Sequence, residues 1–160
     1  MPAPQIEYPI HVASAAEFEE ALKVRIHVFV DIQKFSRELE PDEHDPTATH
    51  IVVLCPRTDK VIGTLRILKA QGAAKIGRVV VMPEYQGLGL GKKMMAYAEQ
   101  HIVANLDKYQ GCEAIKLGSQ MDKIRFYESC GYARKGEVFD DDGSPHVWMV
   151  KDVKSLMQSS

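Results

Sequence analysis

The sequence predicts a mixed α/β domain, and three observations support that prediction. Short runs rich in β-branched residues, such as residues 50–55 and 61–68, alternate with stretches of helical periodicity. A glycine-rich turn joins one β-type run to a helical pattern. The 160 residues, of which 45% are hydrophobic, suit one domain with a substantial core. We therefore expect a single domain over residues 1–160, with its core at 5–152.

Composition and charge exclude several classes of function. The net charge of −2 does not favour nonspecific binding to nucleic acid or to an anionic membrane. No apolar run approaches the roughly 20 residues of a membrane helix, and the first residues lack the basic and apolar regions of a signal peptide. We expect a cytoplasmic protein, with access to the nucleus by diffusion, and no nucleic-acid or membrane partner.

The cysteines predict neither a metal site nor a disulfide. Cys55, Cys112 and Cys130 are far apart in the sequence, and none belongs to a C-x-x-C pair or has a histidine at ligand spacing. None has an activating base beside it either, so a nucleophilic cysteine is not expected. We predict three reduced, mostly buried thiols and no bound metal.

The chain begins with a predicted strand, an amphipathic helix and an acidic segment. Residues 6–12 have β character, and Ser14 with Glu17 forms a capping box ahead of a helix that is expected to end near Phe29 or Val30. Helical periodicity fails over residues 31–49, which are rich in Asp and Glu. A segment this long is typical of a substrate-side loop or a short second helix, and a solvated acidic surface is the alternative.

The middle of the chain predicts an antiparallel meander followed by a parallel crossover. Two β-type runs flank a turn, a third strand follows, and a helix then leads to one more strand, which implies a parallel pair with a right-handed connection. A short helix and a terminal hairpin complete the pattern. The predicted ranges are 50–55, 61–68, a strand ending at 81, a helix at 90–105, a strand at 114–118, a helix at 121–130, and strands at 132–138 and 146–150.

The glycine-rich turn has the features of an anion-binding site. Glycines let the backbone turn tightly, and the free N–H groups at the start of the next helix favour a phosphate. Spacing excludes two common phosphate loops, because Gly91-Lys92 is followed by Lys93 instead of Ser or Thr, and the glycines follow G-x-G-x-G instead of G-x-G-x-x-G. A simple joint between strand and helix is the alternative. The turn reads Gln86-Gly87-Leu88-Gly89-Leu90-Gly91.

Two motifs resemble those of the GNAT superfamily of N-acetyltransferases. Gln86-x-x-Gly89-x-Gly91 resembles its acetyl-CoA signature R/Q-x-x-G-x-G/A, and the second motif is similar to N-x-x-A-x-x-F-Y-E-x-x-G-F. The resemblance implies a mixed, mostly antiparallel sheet of six to seven strands with a splayed central parallel pair, flanked by about four helices. The second motif here reads Gln120-x-x-Lys123-x-x-Phe126-Tyr127-Glu128-x-x-Gly131-Tyr132.

A finer resemblance covers almost the whole chain and points to a GNAT subgroup called ElaA-like or YjcF-like. Residues 25–33 resemble its R-x-x-V-F-V-x-E-Q, although Ile32 stands in place of the glutamate. Residues 40–45 resemble its E-x-D-x-x-D, and His50, residues 136–139 and residues 145–149 also fit. Acceptors in this subgroup are poorly defined, so the match names no substrate.

The resemblance implies transfer of an acetyl group from acetyl-CoA, as cosubstrate, to a primary amine through a tetrahedral intermediate. The backbone of Val79 is then expected to polarise the acetyl carbonyl, and that of Val81 to pair with the pantetheine amide. A backbone donor aimed at a developing oxyanion lowers a barrier by roughly 3 kcal/mol. The implied coenzyme contacts are Val79, Val80, Val81, Gln86, Gly87, Leu88, Gly89, Leu90, Gly91, Lys92, Gln120, Lys123, Arg125 and Phe126.

The resemblance also suggests catalytic side chains. Tyr127 falls where many members place a hydroxyl that protonates the departing thiolate, although an aromatic residue on a short helix also suits a core. The glutamate base that some members carry before the loop is absent, since Lys75 and Arg78 occupy that neighbourhood. Candidate bases are His50, Glu40 and His146, with water-relayed deprotonation as a rival.

The acceptor and the assembly state are open at this level. The acidic segment favours a cationic amine, such as a polyamine-like molecule, an amino sugar or a lysine side chain. A glucosamine or glucosamine-phosphate acetyltransferase is one alternative, and a noncatalytic acyl-CoA sensor or interaction module is another. A homodimer, common in the superfamily, is a further expectation from the resemblance.

Overall fold

A single seven-stranded sheet forms the centre of the protein, in a computed structural model that describes residues 6–157. Its spatial order is β1-β2-β3-β4-β5-β7-β6, and every neighbouring pair is antiparallel except β4 and β5. The strands are β1 (Ile10–Val12), β2 (Thr49–Leu54), β3 (Val61–Ala70), β4 (Ala73–Val81), β5 (Ala114–Gln120), β6 (Ala133–Asp141) and β7 (Ser144–Asp152).

Within residues 6–157, four α-helices accompany the sheet. They are α1 (Ala15–Arg25), α2 (Leu90–Ala104), α3 (Ile124–Ser129) and α4 (Val153–Met157). The predicted mixed sheet of six to seven strands, with one parallel pair and about four helices, is confirmed. Within the described part of the chain, no helix is both long enough and apolar enough to cross a membrane.

The first helix begins as predicted but ends differently. The Glu17 N–H donates to Ser14 Oγ at 3.2 Å and the Ser14 N–H donates to Glu17 Oε1 at 2.9 Å, which completes the capping box. After Arg25 the chain continues as a π-helical turn over Ile26–Ile32. Such wide turns are frequent at functional sites, and this one leads directly into the walls of the cavity described below.

The two faces of the sheet are covered by different helices. On one face, α2 buries Met94, Met95 and Ile102 in the same core as Ile76 and Leu117 of the parallel pair. On the other face, α1 packs Ala21 and Val24 into a cluster with residues of β2, β3 and β4. The α1 face of β5, β7 and β6 extends beyond this cluster, and it carries the aromatic and basic side chains discussed below.

Candidate active site

The parallel strands β4 and β5 separate from one another partway along their length. Their pairing covers only Ala73 to Lys75 on β4, which lie opposite Ala114 to Lys116 on β5. Beyond that point β4 continues to Val81 and β5 to Gln120 without pairing to each other. A gap between two parallel strands leaves facing backbone groups free to bind an extended ligand.

A β-bulge in β4 lies beside this gap. Thr64 pairs with Val80 while Arg66 pairs with Gly77, so Arg78 and Val79 together face a single residue of β3. Arg78 has a φ of +51°, in the left-handed region that non-glycine residues seldom adopt. The bulge redirects the side chain of Arg78 toward the acidic segment, and bulges commonly have this effect next to active sites.

The glycine-rich turn follows β4 and opens helix α2. Gly87 and Gly89 have φ angles of +84° and +77°, which favour glycine. Gly89 caps the helix without any side-chain hydrogen bond, and the Lys93 N–H donates to the Gly89 carbonyl at 3.1 Å in the first helical turn. The preceding amides of that turn are therefore available to an anion, as the sequence predicts.

Helix α3 is held against the start of α2 by a close contact at Gly91. A Cβ built on Gly91 would lie 3.0 Å from Cζ and 3.2 Å from Cε1 of Phe126. The absence of a side chain at Gly91 thus lets the Phe126 ring pack directly on the turn. This packing fixes the distance between the two motifs identified in the sequence.

The gap and the turn open into one cavity of about 530 Å³. The cavity brings together most of the residues that the sequence suggests for coenzyme binding, as well as Tyr127 and Glu40. The suggested residues that line it are Val79, Val80, Val81, Gln86, Gly87, Gly89, Leu90, Gly91, Lys92, Gln120, Lys123 and Phe126. Leu88 and Arg125 lie outside the lining, and both are exposed.

Tyr127 lies at the cavity with its ring packed against neighbouring aromatic residues. Its ring centroid is 5.0 Å from that of Phe126 and 6.3 Å from that of Tyr132. Burial raises the pKa of Tyr127 above its usual range, with a smaller contribution from Cys130. A tyrosine phenol is protonated at physiological pH even at its ordinary pKa near 10, and the upward shift keeps it so.

Three arginines neutralise the acidic segment from within. Arg25 is ion-paired with Glu40 and with Asp45, and its Nη1 lies 2.8 Å from Asp45 Oδ1. Arg66 pairs with Asp42 at 2.6 Å and with Asp45 at 2.9 Å. Arg78, the third arginine, completes the network with Nε 2.8 Å from Glu40 Oε1 and Nη2 3.2 Å from Asp42 Oδ2. These three carboxylates are therefore structural partners of the sheet. The exposed Asp31, Glu38 and Glu43 lie outside the cavity lining, so the segment's one carboxylate that lines the cavity, Glu40, is already ion-paired.

The pKa of Asp45 shows how strongly this network holds its charge. Burial would raise the pKa of Asp45, but hydrogen bonds from Arg25, the Asp42 amide and Arg66 outweigh burial and hold the pKa well below its usual range. The same balance between burial and the Arg66 charge lowers the pKa of Asp42.

Two of the candidate bases, His50 and His146, do not line the cavity. His50 Nε2 lies 3.0 Å from the Asp45 carbonyl oxygen, and the His50 ring packs against Phe18. Burial is the main cause that lowers the pKa of His50. His146 is buried with Nδ1 2.9 Å from the Ser144 carbonyl oxygen. Glu40 does line the cavity, with its carboxylate engaged by arginines.

Several cavity residues were not identified as site residues from the sequence. Gln120 Nε2 donates to Gln33 Oε1 at 3.0 Å across the cavity. The backbone N–H and the hydroxyl of Ser36 donate to the Asp142 carboxylate at 2.7 Å and 2.9 Å, which joins the π-helical region to the β6–β7 hairpin. These contacts link residues 87 and 106 positions apart in sequence, so no local spacing reveals them.

The chain is similar to acetyltransferases in sequence and in structure. Residues 14–153 match the family described as acetyltransferase (GNAT) domain. The uncharacterised N-acetyltransferase YjcF of Bacillus subtilis is 31% identical, over 85% of this chain and 93% of its own. The crystal structure of Escherichia coli ElaA superimposes with a TM-score of 0.75 at 26% identity, covering 92% of this chain and 99% of that one. An acyl-CoA N-acyltransferase from Pseudomonas aeruginosa gives 0.77 at 25% identity, covering 91% and 99%.

Proposed function

Because the chain belongs to the GNAT family of acetyltransferases, we propose that it transfers an acetyl group from acetyl-CoA directly to a primary amine, without an acyl-enzyme. The GNAT resemblance seen in the two motifs, and its ElaA-like and YjcF-like subgroup, are confirmed. The nature of the acceptor and the roles of individual residues are our proposals.

The observation that carries this proposal is the continuity of the β4–β5 gap with the glycine-rich turn. Both belong to one cavity, whose lining runs from Ile76 and Leu117 to Lys92 at the start of α2. An extended ligand with a phosphate at one end fits this shape, because the gap offers unpaired strand edges and the turn offers helix amides. Acetyl-CoA has such a shape, and when bound it supplies the thioester carbonyl that the amine attacks.

Main-chain groups do most of the coenzyme binding in this proposal. We assign the diphosphate to the amides of the turn, with Lys92 and Lys123 adding positive charge at its rim. Val79 and Val81 present backbone groups along the gap. In the protein as described, the Val81 carbonyl already accepts a hydrogen bond from Gln86 Nε2 at 3.1 Å, which positions the turn over the end of β4.

Tyr127 is the proton donor in this proposal. Its buried ring, raised pKa and position at the cavity keep a neutral phenol available to the sulfur that leaves. Among residues 6–157, no hydrogen bond from the Tyr127 hydroxyl to another protein group competes for that proton.

We place removal of the amine proton on water, because His50 and His146 lie outside the cavity lining and Glu40 is ion-paired with two arginines. The acidic limb of kcat/KM against pH should then follow the pKa of the acceptor amine. Profiles for two acceptors whose amine pKa values differ by about two units test this. An acidic limb that stays in place for both acceptors and moves in the His50→Gln variant would assign the base to the protein.

The decisive experiment combines coenzyme binding with turnover. We expect Gly89→Ala to weaken coenzyme A binding about tenfold or more in titration calorimetry, because alanine strains the left-handed residue that aims the amides of the turn. Gly136→Ala is the matched control, since Gly136 has a φ of +84°, equally open space around its Cβ position, and no place in the cavity lining.

Turnover is measured as acetyl-CoA-dependent thiol release with a broad panel of amines. Release with at least one amine, together with loss of affinity in Gly89→Ala but not in Gly136→Ala, supports the proposed function. Coenzyme binding without thiol release from any amine would favour a noncatalytic acyl-CoA sensor, and absence of coenzyme binding would refute the assignment of the cavity.

A further inference from the structure

Two lysines lie opposite each other where β4 and β5 separate. Lys75 and Lys116 are the last register pair of the parallel ladder, and the residues that follow them, Ile76 and Leu117, line the cavity. Ile76 and Leu117 belong to the core on the α2 face. Because side chains alternate along a strand, Lys75 and Lys116 point together to the opposite face.

These lysines have no acidic partner. Within residues 6–157, neither ammonium group lies within ion-pair distance of a carboxylate. Each ammonium instead lies 5.1 Å from the centroid of the Trp148 ring. Like charges directly opposite each other in a ladder destabilise a sheet, so the pair is a local excess of positive charge that the fold itself leaves unbalanced.

Neighbouring charges do not remove this excess. Arg66 and Arg78 are already paired with the carboxylates of the acidic segment. Burial lowers the pKa of Lys75, and the charges of Lys116 and Arg66 lower it further. Asp141, on the cavity wall, acts in the opposite direction, but it lies beyond ion-pair distance and is about half exposed.

The surface between the lysines and the cavity is open over Gly77, whereas aromatic rings lie over Gly118. Gly77 and Gly118 are two residues beyond Lys75 and Lys116 on the same strands, and both line the cavity. A Cβ on Gly77 would meet nothing within 4 Å. At Gly118, the Phe139 ring lies 3.3 Å from the Cβ position and stacks on Trp148 at 4.8 Å. The path from the cavity to the two lysines therefore runs over Gly77 and beside the rings of Phe139 and Trp148.

We propose that Lys75 and Lys116 form an anion subsite for the acceptor, so that the amine substrate also carries a carboxylate or phosphate group. This inference rests on the proposed function and adds the chemical class of the acceptor. Ammonium groups bind such anions through charge-assisted hydrogen bonds, and an anion between the lysines relieves their mutual repulsion. The inference replaces the cationic acceptor expected from the acidic segment, whose key carboxylates are occupied by arginines.

The first test compares acceptors in matched pairs by thiol release. Each pair consists of an amine without an anionic group and a related amine that carries one: ethanolamine with phosphoethanolamine, propylamine with β-alanine, and glucosamine with glucosamine 6-phosphate. The dication 1,3-diaminopropane represents a purely cationic acceptor. We expect the anionic member to have a kcat/KM at least about tenfold higher, as one charge-assisted contact allows. Comparison of the phosphate pairs with the carboxylate pair shows which of the two anions the subsite prefers.

Variants connect that preference to the lysines. Lys75→Met and Lys116→Met should reduce the anionic advantage to about threefold or less, mainly through KM, whereas the exposed Lys69→Met on β3 should keep it. Thiol release that is equal for neutral and anionic amines, or fastest for the dication, overturns this inference and leaves the proposed acetyl transfer standing.

A second measurement does not depend on turnover. Trp148 is the single tryptophan of the chain, so its emission reports directly on the lysines that face it. Inorganic phosphate is titrated into protein saturated with coenzyme A, at ionic strength held constant with sodium chloride, so that the diphosphate site is already filled. A saturable change in wild type that disappears in the double methionine variant supports the subsite. An unchanged titration in that variant, or none in wild type, refutes it even if no amine is acetylated.

Discussion

At the scale of single residues, the site contains carboxylates that ion pairs keep charged and a phenol that stays neutral. The carboxylates of Asp42 and Asp45 are kept ionised by arginines, and the Tyr127 phenol is kept neutral by burial. The same physical effect, transfer out of water, acts in both cases, and the presence or absence of a partner decides the direction of the pKa shift. These residues therefore make separate and testable contributions to stability and catalysis.

Replacing Tyr127 with phenylalanine should remove the proton donor while leaving coenzyme binding intact. General acid catalysis contributes about 10² to 10⁴ in rate, so we expect kcat to fall at least about a hundredfold with the dissociation constant of coenzyme A nearly unchanged. Single-turnover kinetics and calorimetry measure the two quantities. An equal loss of affinity would assign Tyr127 to packing against Phe126 and Tyr132 instead.

Asp45→Asn should destabilise the protein and flatten its acid dependence. Removing one partner from a buried ion pair costs about 3–5 kcal/mol, because the three arginines then share two carboxylates and one positive charge of the network is uncompensated. The pKa of Asp45 is depressed in the folded protein, so its contribution is complete above the unfolded value near 4 and is lost as the pH falls toward the folded value.

Urea unfolding at pH 7 and at lower pH measures both effects. Wild type should lose stability as the pH falls below about 4, and Asp45→Asn should lose less over the same range. Asp107→Asn, at an exposed position, should stay within about 0.5 kcal/mol of wild type. If Asp45→Asn does not fold, Asp42→Asn at the more exposed position gives the same test with a smaller expected effect. A dependence of unfolding free energy on pH identical to that of wild type would contradict the role of the network.

At the scale of elements, the site depends on how α2, α3 and the two parallel strands are spaced. The separation of β4 from β5 begins directly after the Lys75–Lys116 pair, and the contact between Gly91 and Phe126 holds α3 beside the glycine-rich turn. The bulge at Arg78 ties the acidic segment to the same strand. Each of these features is a local departure from regular structure that a neighbouring element stabilises.

Gly91→Ala should disturb the contact between α2 and α3. Overpacking against Phe126 costs about 1–3 kcal/mol, and the better helix propensity of alanine offsets up to about 1 kcal/mol of that. We expect lower thermal stability and a several-fold weaker affinity for coenzyme A.

A double-mutant cycle with Phe126→Leu tests whether the contact is the cause. Leucine has no ring edge at the position of Phe126 Cζ, so alanine at residue 91 should cost less in the Phe126→Leu background than in wild type. Additive effects in melting temperature and affinity would show that Gly91 acts through the turn alone.

At the scale of the whole molecule, the central sheet consists of two halves that are paired to each other at three register positions. The antiparallel half β1-β2-β3-β4 and the half β5-β7-β6 are joined in the ladder at Ala73–Lys75 and Ala114–Lys116, with α2 bridging them on one face. A ligand between the separated strands adds contacts to both halves. We therefore expect coenzyme binding to affect both halves of the sheet as well as the glycine-rich turn.

Coenzyme A should reduce hydrogen exchange along the separated strand edges. We expect amides in residues 77–81 and 117–120, together with residues 86–92, to exchange more slowly within minutes when the coenzyme is present. The β2–β3 ladder should change little on that timescale, because its amides are already paired. Protection confined to residues 86–92 would show that the ligand does not enter the gap.

The elements and the part of the cavity lined by residues 79–92 were accessible from the sequence for a common reason. Strand, turn and helix signals are local, and this part of the lining comes from one short stretch of chain whose backbone geometry depends on its glycines. Predicted boundaries differ most near the start of the chain, where β1 begins at Ile10 instead of residue 6 and α1 ends at Arg25 instead of Phe29 or Val30. The strands of the terminal hairpin also extend to Asp141 and begin at Ser144, because pairing continues beyond the apolar pattern.

The sequence by itself determined the family, the order of the elements and the residues of the glycine-rich turn. Only the tertiary structure decided which charges are paired on the side of the cavity that we propose for the acceptor. There, Arg25, Arg66 and Arg78 reach the acidic segment from three separate elements, and Lys75 meets Lys116 across the parallel pair. The net charge of a sequence counts every charged residue equally. The charge that a ligand meets depends instead on which charged groups are already paired, and folding makes those pairs between residues far apart in the chain.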